Sequence, residues 1–349
     1  MSWILLFLAV ALASAALGWL GGWGIRALAP RLGLVDRPDG DRRRHQAPMP
    51  LAGGVAAWGA MTVMAAVMHW AFPAVLAPFS SLEWLSLLLS PLPLLCVGLL
   101  DDRYRLSPGW LLAGALCSIS IALLLGIRID EVTNPGGGVR MFGPITSIFI
   151  TGGWLLACIG STKFADGVDG LVAGQTGIGA FLISALCLAP AYFQPHVGLV
   201  SALFGGAFIG VLAHNWPKAR LFLGEFGSTF AGLGLGILAS ISGAKVAIAL
   251  MAMGFFGADM VWVMARRLWR GRSPLQGDRT HLHFLLVAAG VPVWGVAMIV
   301  WGLGLGFGVA ALRFQTQGKL VLIGALILLT WTLSYGAERV ARQKGVSVL

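Results

Sequence analysis

The sequence predicts an all-α polytopic membrane protein with about eleven transmembrane helices. Of its 349 residues, 58% are hydrophobic and only 11% are charged, and the mean hydropathy is +0.85. The apolar residues also form long runs with few charges, which a soluble domain cannot bury but which cross a bilayer as helices. An outer-membrane barrel would show short alternating segments instead, and none is evident.

The individual spans are marked by apolar runs that end at charges or at Pro and Gly clusters. The first run carries no charge before Arg26, whereas a signal peptide carries its positive charge first, so we interpret it as an uncleaved span. The eighth run is short, and the turn at residues 242–245 that separates it from the ninth is the weakest boundary. The predicted spans are 3–24, 51–72, 84–100, 109–127, 145–162, 172–190, 197–214, 229–242, 246–265, 291–312 and 319–337.

The distribution of basic residues predicts the orientation. With the loop 25–50 placed in the cytoplasm and the sides alternating, 19 of the 24 lysines and arginines fall on the cytoplasmic side. This asymmetry predicts an N-terminus outside and a C-terminus inside, with a short cytoplasmic tail at residues 338–349. On the far side, the segment 126–144 alternates in polarity and turns at Asn134-Pro135-Gly136, which predicts a small periplasmic hairpin.

Two further features exclude other classes. The four cysteines all fall within apolar runs and form no CxxC pair, so the sequence has no zinc or redox motif. The net charge of +10 follows from membrane topology and from an anionic ligand, so we expect membrane lipids and no nucleic acid as partners.

Four polar clusters fall on the predicted cytoplasmic side. They are the Asp101-Asp102 pair, the Asp166 and Asp169 pair, the segment 224–228 and the segment 278–283. Carboxylates beside arginines at the mouth of a helix bundle indicate a divalent cation and a phosphorylated ligand. Magnesium prefers hard oxygen ligands, and arginine binds phosphate through paired hydrogen bonds.

Each cluster also has a structural interpretation. The Asp101-Asp102 pair is also typical of a solvated flank at a span end, and Asp166 and Asp169 suit the N-terminus of the helix that follows. The segment 224–228 also fits a plain turn with Ser228 as the N-cap, and the histidines fit interfacial polar residues.

One ionisable residue lies inside a predicted span. Asp259 falls within the ninth span, where a charged group is functional or paired by default. Arg266, two helical turns further on, is the candidate partner.

Five motifs together resemble a known family. They are LGLVDRPDGDRRRHQAPMPLAGG at 32–54, LLDDRYRLSP at 99–108, FADGVDGLVAG at 164–174, HNWPKARLFLGEFGS at 214–228 and RRLWRGRSPLQGDRTHLHF at 266–284. In order and spacing they resemble the polyprenyl-phosphate N-acetylhexosamine-1-phosphate transferases of glycosyl transferase family 4. This family includes the undecaprenyl-phosphate N-acetylglucosaminyl 1-phosphate transferases and, more distantly, the phospho-MurNAc-pentapeptide translocases.

The resemblance implies a reaction and its cofactor. A HexNAc-1-phosphate, by default GlcNAc-1-phosphate, is expected to pass from a UDP-HexNAc to undecaprenyl phosphate or a similar polyprenyl phosphate, with release of UMP. The family requires Mg²⁺ or Mn²⁺. The implied protein is a single transferase domain over 1–349 in the bacterial cytoplasmic membrane. Its active site faces the cytoplasm and is formed by the loops 25–50, 101–108, 163–171, 215–228 and 266–284.

The resemblance also implies roles for particular residues. The catalytic residues are expected to be Asp101, Asp102, Asp166 and Asp169, and the metal ligands Glu225 and Asp102. The expected substrate-binding residues are Arg43, Arg44, His45, Lys163, Asn215, Asp278, Arg279, His281 and His283. We expect Asp166 and Asp169 to share one face of the first turn of a helix, with glycines that allow close approach to phosphate.

Three departures from the family pattern leave alternatives open. The family usually has Asp at Glu225, Asn at Lys163 and often His at Phe284. A lysine at position 163 either competes with the metal or binds phosphate in the place of the metal. The alternatives are therefore a catalytically silent relative that binds the lipid carrier or scaffolds glycan assembly and, less favoured, a transporter or flippase. The sequence also leaves open the sugar, the final glycan and the oligomeric state, for which a homodimer is one alternative.

Overall fold

The computed structural model of the protein describes residues 3–36, 48–76, 79–243, 246–271, 273 and 280–345. The described residues are mostly helical, with two very small antiparallel sheets. The helices are α1 (Trp3–Leu28), α2 (Gly53–Ala71), α3 (Pro73–Leu76), α4 (Ser81–Leu89), α5 (Pro91–Tyr104), α6 (Pro108–Leu124), α7 (Pro144–Ala165), α8 (Leu171–Leu188), α9 (Pro195–Asn215), α10 (Gly224–Ile241), α11 (Val246–Trp269), α12 (Leu282–Ala288), α13 (Val293–Arg313) and α14 (Thr316–Gln343). The strands are β1 (Val35–Asp36), β2 (Met49–Pro50), β3 (Glu131–Thr133) and β4 (Val139–Met141).

Nine helical segments in the described part of the chain are long and apolar enough to cross a membrane. They are α1, α2, α4 together with α5, α7, α8, α9, α10, α13 and α14. The predicted fourth and ninth spans fall on α6, which has 17 residues, and on α11, which contains Asp259. The prediction of an all-α polytopic membrane protein is confirmed, while the count of eleven spans and their orientation stay predictions.

The centre of the bundle is formed by α8, α9 and α10, which are buried for most of their length. Phe204 and Phe208 of α9 pack there against Phe230 of α10, on which Phe226 stacks. The outer helices α1, α13 and α14 instead expose many apolar side chains. Exposed apolar faces carry no penalty in lipid, whose acyl chains are as apolar as leucine.

Small residues bring the ends of α2 and α5 against the start of α10. Gly54 of α2 lies on Gly227 of α10, so closely that a side chain on either would overlap the other backbone. A Cβ on Gly98 of α5 would lie 2.7 Å from the backbone nitrogen of Phe226. Glycines of this kind let transmembrane helices approach closely. The contact at Gly98 fixes the last turn of α5 beside the first turn of α10.

The predicted hairpin at 126–144 is confirmed as a hairpin. Strands β3 and β4 pair antiparallel, with Val132 opposite Arg140. Gly137 and Gly138 in the turn have φ values of +100° and +79°, which favour glycine. The Asp130 carboxylate accepts a hydrogen bond from the Ser147 hydroxyl at 2.7 Å, which ties the hairpin to α7.

Candidate active site

Polar side chains from several helices meet at one end of the bundle. This end contains the C-termini of α5, α7 and α9 and the N-termini of α8, α10 and α12, as the hydrogen bonds between them show. We call the first group the carboxylate cluster; its members are Asp102, Lys163, Asp166, Asp169 and Glu225. We call the second group the histidine cluster; its members are Asp259, His281 and His283.

The two adjacent aspartates at the end of α5 have different partners. Asp101 Oδ1 accepts a hydrogen bond from the backbone N–H of Leu106 at 2.8 Å and so closes the turn that ends α5. Asp102 Oδ1 accepts from the backbone N–H of Glu225 at 3.1 Å and so caps the first turn of α10. The partial positive charge of a helix N-terminus stabilises an anion at this place. Asp102 therefore belongs to the cluster, whereas Asp101 holds the local backbone.

The second oxygen of Asp102 is buried without a hydrogen-bond partner among the described residues. It lies over Gly224, where a Cβ would come within 2.5 Å of it. Gly224 has φ +76°, so the backbone conformation also favours glycine. A buried carboxylate oxygen without a partner is costly unless a ligand completes its coordination.

The segment 224–228 is the first turn of α10, so the interpretation as a plain turn with Ser228 as N-cap is wrong. The Ser228 hydroxyl donates back to the carbonyls of Gly224 and Glu225, at 3.3 and 3.2 Å. The helix starts earlier because the Asp102 carboxylate satisfies the backbone N–H of Glu225. Glu225 is consequently held at the start of α10, facing α5 and α7.

Lys163 contacts Glu225 directly. Its ammonium forms an ion pair with Oε1 of Glu225, across the last turn of α7 and the first turn of α10. The two side chains are 28% and 16% exposed, so the pair lies at the edge of the cluster rather than in open solvent. Lys163 and Glu225, two of the three residues that depart from the family pattern, are thus in direct contact with each other.

Asp166 and Asp169 do not lie on a helix, so the prediction that they share the first turn of one is wrong. α7 ends at Ala165 and α8 begins at Leu171, and both aspartates occupy the turn between them. Gly170 has φ +77°, a left-handed conformation that stops a single helix from continuing through the turn. The two carboxylates are therefore placed by a loop, each with its own environment.

Asp166 is an exposed residue of this turn, but protein atoms surround its carboxyl group. Burial by this surrounding protein, and then the nearby carboxylates of Glu225, Asp102 and Asp169, raise the pKa of Asp166 to about 7, which the Lys163 ammonium opposes. A carboxyl group among other carboxylates is a suitable place for a cation to bind.

Asp169 and Asn215 hold the turn in place. Asp169 Oδ2 accepts from the backbone N–H of Ala219 at 3.0 Å. Asn215 is buried; its Oδ1 accepts from Gly170 N–H and its Nδ2 donates to the Leu221 carbonyl, both at 3.0 Å. Both polar atoms of the Asn215 amide are therefore engaged within the protein, which makes it a positioning residue for the turn and for the chain leading to α10.

The partner of Asp259 is His281, so the prediction of Arg266 is wrong. Asp259 Oδ2 lies 2.7 Å from His281 Nδ1, and Asp259 Oδ1 accepts from Leu282 N–H at 2.8 Å. Arg266 instead donates to Glu338 of α14 at 2.9 Å. A carboxylate oxygen accepts hydrogen bonds, so this pairing assigns the ring proton of His281 to Nδ1. This pairing crosses a segment of the chain, so helix spacing alone could not reveal it.

His283 joins the two clusters. Its ring stacks on His281 with centroids 5.8 Å apart, and Phe284 lies against it at 4.2 Å. A Cβ on Gly167 would come within 2.6 Å of His283 Nε2, so the turn after α7 packs onto this ring. Burial, and then His281, lower the pKa of His283 to about 3, so its imidazole is neutral.

The residues present fit a divalent cation of the hard type. Asp102 offers a buried carboxylate oxygen that has no hydrogen-bond partner in the described ranges, and Glu225 and Asp166 offer further carboxylates beside it. No three His, Cys, Asp or Glu side chains of the described residues converge as a ready-made metal site. Mg²⁺ is usually held by one or two carboxylates, with substrate phosphates and water as the remaining ligands, so two carboxylates suffice.

Five predicted substrate-binding residues lie outside the described residues. They are Arg43, Arg44, His45, Asp278 and Arg279. Sequence reasoning gave no individual role to two glycines inside the described chain, Gly167 and Gly224, which let His283 and Asp102 approach the backbone. Their only signal is their place within the DGVDG and GEFGS motifs.

Comparison with known proteins finds relatives that are named as polyprenyl-phosphate sugar-phosphate transferases. The profile of glycosyl transferase family 4 matches residues 84–243, which contain the whole carboxylate cluster. A decaprenyl-phosphate N-acetylglucosaminephosphotransferase of Mycolicibacterium smegmatis is 28% identical over 333 residues, covering 86% of this chain and 80% of the relative. An undecaprenyl-phosphate alpha-N-acetylglucosaminyl 1-phosphate transferase of Yersinia pestis is 29% identical over 284 residues, covering 76% and 72%. One of Escherichia coli O157:H7 is 28% identical over 288 residues, with the same coverages.

The class of protein is thus a multi-pass membrane enzyme that transfers a sugar phosphate. The chain is similar to glycosyl transferase family 4 over the matched residues, and the resemblance inferred from its five motifs is confirmed.

Proposed function

We propose that the protein transfers a HexNAc-1-phosphate from a UDP-HexNAc to a polyprenyl phosphate and releases UMP. The acceptor is undecaprenyl phosphate or a close analogue, and GlcNAc-1-phosphate is the default group transferred. A phosphate oxygen of the lipid forms a bond to the sugar-bearing phosphorus of the donor. The bond from that phosphorus to the bridging oxygen breaks, and UMP leaves with both electrons of that bond.

The observation that carries the proposal is the open coordination of Asp102. Its second oxygen, which has no hydrogen-bond partner among the residues that the structure describes, lies beside Glu225 and Asp166 at the N-terminus of α10. Such a grouping suits an anionic diphosphate that arrives with a divalent cation, and it does not suit an apolar or neutral substrate.

The chain's own residues position the reactants. A phosphate nucleophile has its second pKa near 6 and needs no strong base at neutral pH, so orientation and charge neutralisation dominate. Asp102 and Glu225 would hold Mg²⁺ or Mn²⁺, which when bound neutralises the developing negative charge on the diphosphate. Asp169 and Asn215 fix the turn that presents Asp166. Asp259 orients His281 toward the sugar phosphate.

The expected setting is the bacterial cytoplasmic membrane, with the site on the cytoplasmic face. The bundle end that carries both clusters is also the end where the sequence concentrates its arginines and lysines. The positive-inside rule then supports the cytoplasmic orientation, where nucleotide sugars are available.

The test is UMP release by purified protein in detergent with Mg²⁺, undecaprenyl phosphate and a series of UDP-HexNAc donors. We expect UMP from one donor, dependent on both lipid and metal, and absent from Asp102→Asn. If a folded, lipid-binding preparation released no UMP from any donor, the proposal would be wrong and the silent relative would be favoured.

A further inference from the structure

The contact between Lys163 and Glu225 places a positive charge at the edge of the carboxylate cluster. The ammonium forms an ion pair with Oε1 of Glu225, and it also faces Asp102 and Asp166, whose charges it partly offsets. Both partners come from packed helix ends, α7 and α10, so the pair does not depend on a loose surface side chain.

An ammonium on Glu225 competes with a divalent cation for the same carboxylate. The two cations also repel each other, and this repulsion is strong at a site shielded from bulk water. A diphosphate removes this conflict, because it offers the ammonium an alternative anion and gives the metal its missing oxygen ligands. The Lys163 side chain has four rotatable bonds and is 28% exposed, so its end can swing between the two anions.

We propose that Lys163 is an internal counter-ion that holds Glu225 until the donor diphosphate arrives, so that metal and diphosphate bind together rather than metal first. This inference rests on the proposed function, because it assigns Glu225 to the metal and the diphosphate to the same cluster. It gives the paired departures at Lys163 and Glu225 one physical role, which is to make the metal site depend on the substrate.

The test measures Mn²⁺ binding by electron paramagnetic resonance on the purified full chain, with and without UDP as the diphosphate probe. In the wild type we expect weak Mn²⁺ binding that UDP strengthens. In Lys163→Met we expect Mn²⁺ without UDP to bind at least about 10-fold more tightly, because its competitor is gone. UDP without metal should bind about 10-fold more weakly, because its ammonium contact is lost. The factor by which UDP strengthens Mn²⁺ binding should therefore be smaller in Lys163→Met than in the wild type. By thermodynamic linkage, the factor by which Mn²⁺ strengthens UDP binding should decrease equally.

Opposite changes in the two affinities separate this mechanism from a damaged site, which would weaken both. Lys344→Met is the matched control: it also removes a lysine charge, but Lys344 donates to the carbonyl of Ala289 rather than to a carboxylate. Lys163→Arg keeps the positive charge, so its binding of Mn²⁺ without UDP should stay as weak as that of the wild type. The double variant Lys163→Asn with Glu225→Asp removes the ion pair and provides a second route if Lys163→Met does not fold.

Two results would overturn the inference: unchanged or weaker Mn²⁺ binding in folded Lys163→Met, or tight Mn²⁺ binding by the wild type without UDP. Neither measurement needs turnover. An inactive protein with the predicted binding pattern would therefore refute only the transferase, and an active one without this pattern would refute only the counter-ion.

Discussion

The carboxylate cluster and the histidine cluster lie side by side but are built in different ways. The first combines several carboxylates with one lysine and leaves an oxygen of Asp102 without a hydrogen-bond partner among the described residues. In the second, which is buried, His281 and the backbone of Leu282 occupy both oxygens of Asp259, while Nε2 of His283 has no hydrogen-bond partner in the described part of the chain. The first has a carboxylate oxygen whose coordination a cation can complete, whereas in the second the position of His281 is already fixed.

This difference suggests a division of labour. A group of like charges is costly alone and is relieved when a cation binds, so the carboxylate cluster gains most from its ligands. A histidine fixed by a buried carboxylate costs little further ordering when substrate arrives, so the histidine cluster contributes orientation. Each prediction below tests one side of this contrast.

The largest effect is expected from Asp102→Asn. The substitution removes the charge of the oxygen that has no hydrogen-bond partner among the described residues, and we expect kcat for UMP release to fall by at least about 100-fold. The matched control is Asp101→Asn, next in sequence, whose parent carboxylate bonds to Leu106 instead. The control should lose about 1 kcal/mol of stability and far less activity. Equal losses of activity in the two variants would refute the distinction between these aspartates.

Asp259→Asn should show the next largest effect. An amide can donate to His281 Nδ1, which moves the ring proton to Nε2 and changes what the imidazole offers the substrate. We expect kcat to fall about 10- to 100-fold with KM for the UDP-sugar changed little. Asp130→Asn in the hairpin is the control, because its carboxylate also accepts a hydrogen bond, from Ser147, but far from the site. A rise in KM with kcat unchanged would argue against a positioning role. So would a failure of the conservative variant Asp259→Glu to recover part of the lost kcat.

Gly167→Ala should disturb the boundary between the clusters. The added methyl would meet His283 Nε2 at 2.6 Å and the ring of Phe284, which are held by α12. We expect a loss of activity of about 10-fold and a stability loss of about 1–3 kcal/mol from overpacking. Gly153→Ala on α7 is the control, because its Cβ meets nothing within 4 Å and should be tolerated. If both variants behaved like the wild type in UMP release and thermal unfolding, the turn would not be set by this contact.

Much of the fold follows from the sequence, because apolar length and charge asymmetry are local quantities. Each predicted span falls on helical chain, the third on α4 and α5 together, and the hairpin forms at Asn134-Pro135-Gly136 as its turn residues indicate. Asp166 and Asp169 were misplaced because a helix boundary depends on which residue takes a left-handed conformation. Gly170 does so here, but Gly167 and Gly174 were equally eligible by composition.

The partners in the site could be inferred only partly. The motifs identified Asp102, Glu225 and the histidines, but neither charge nor spacing could pair Lys163 with Glu225, 62 residues apart. Asp259 was assigned to Arg266 because spacing along a helix favours near neighbours, and the competing His281 arrives from a separate segment. Contacts between distant segments depend on how the helices pack, and the residue pattern of a single sequence does not predict that packing.

The smallest effect expected is a pH dependence of stability from His283. Its pKa is lowered from 6.5 to about 3 by burial in the folded state, so between these values the unfolded chain binds a proton that the folded chain does not. The contribution of His283 to stability is therefore complete above about pH 6.5 and decreases as pH falls toward 3, by about 1 kcal/mol per pH unit. Thermal unfolding followed by tryptophan fluorescence should show Tm falling from pH 7.5 to pH 5 more steeply in the wild type than in His283→Gln. His69→Gln, at an exposed position on α2, should keep the wild-type slope. Equal slopes of Tm against pH for the wild type and His283→Gln would mean that His283 can be protonated in the folded protein. The geometry of the histidine cluster would then be less rigid than its hydrogen bonds indicate.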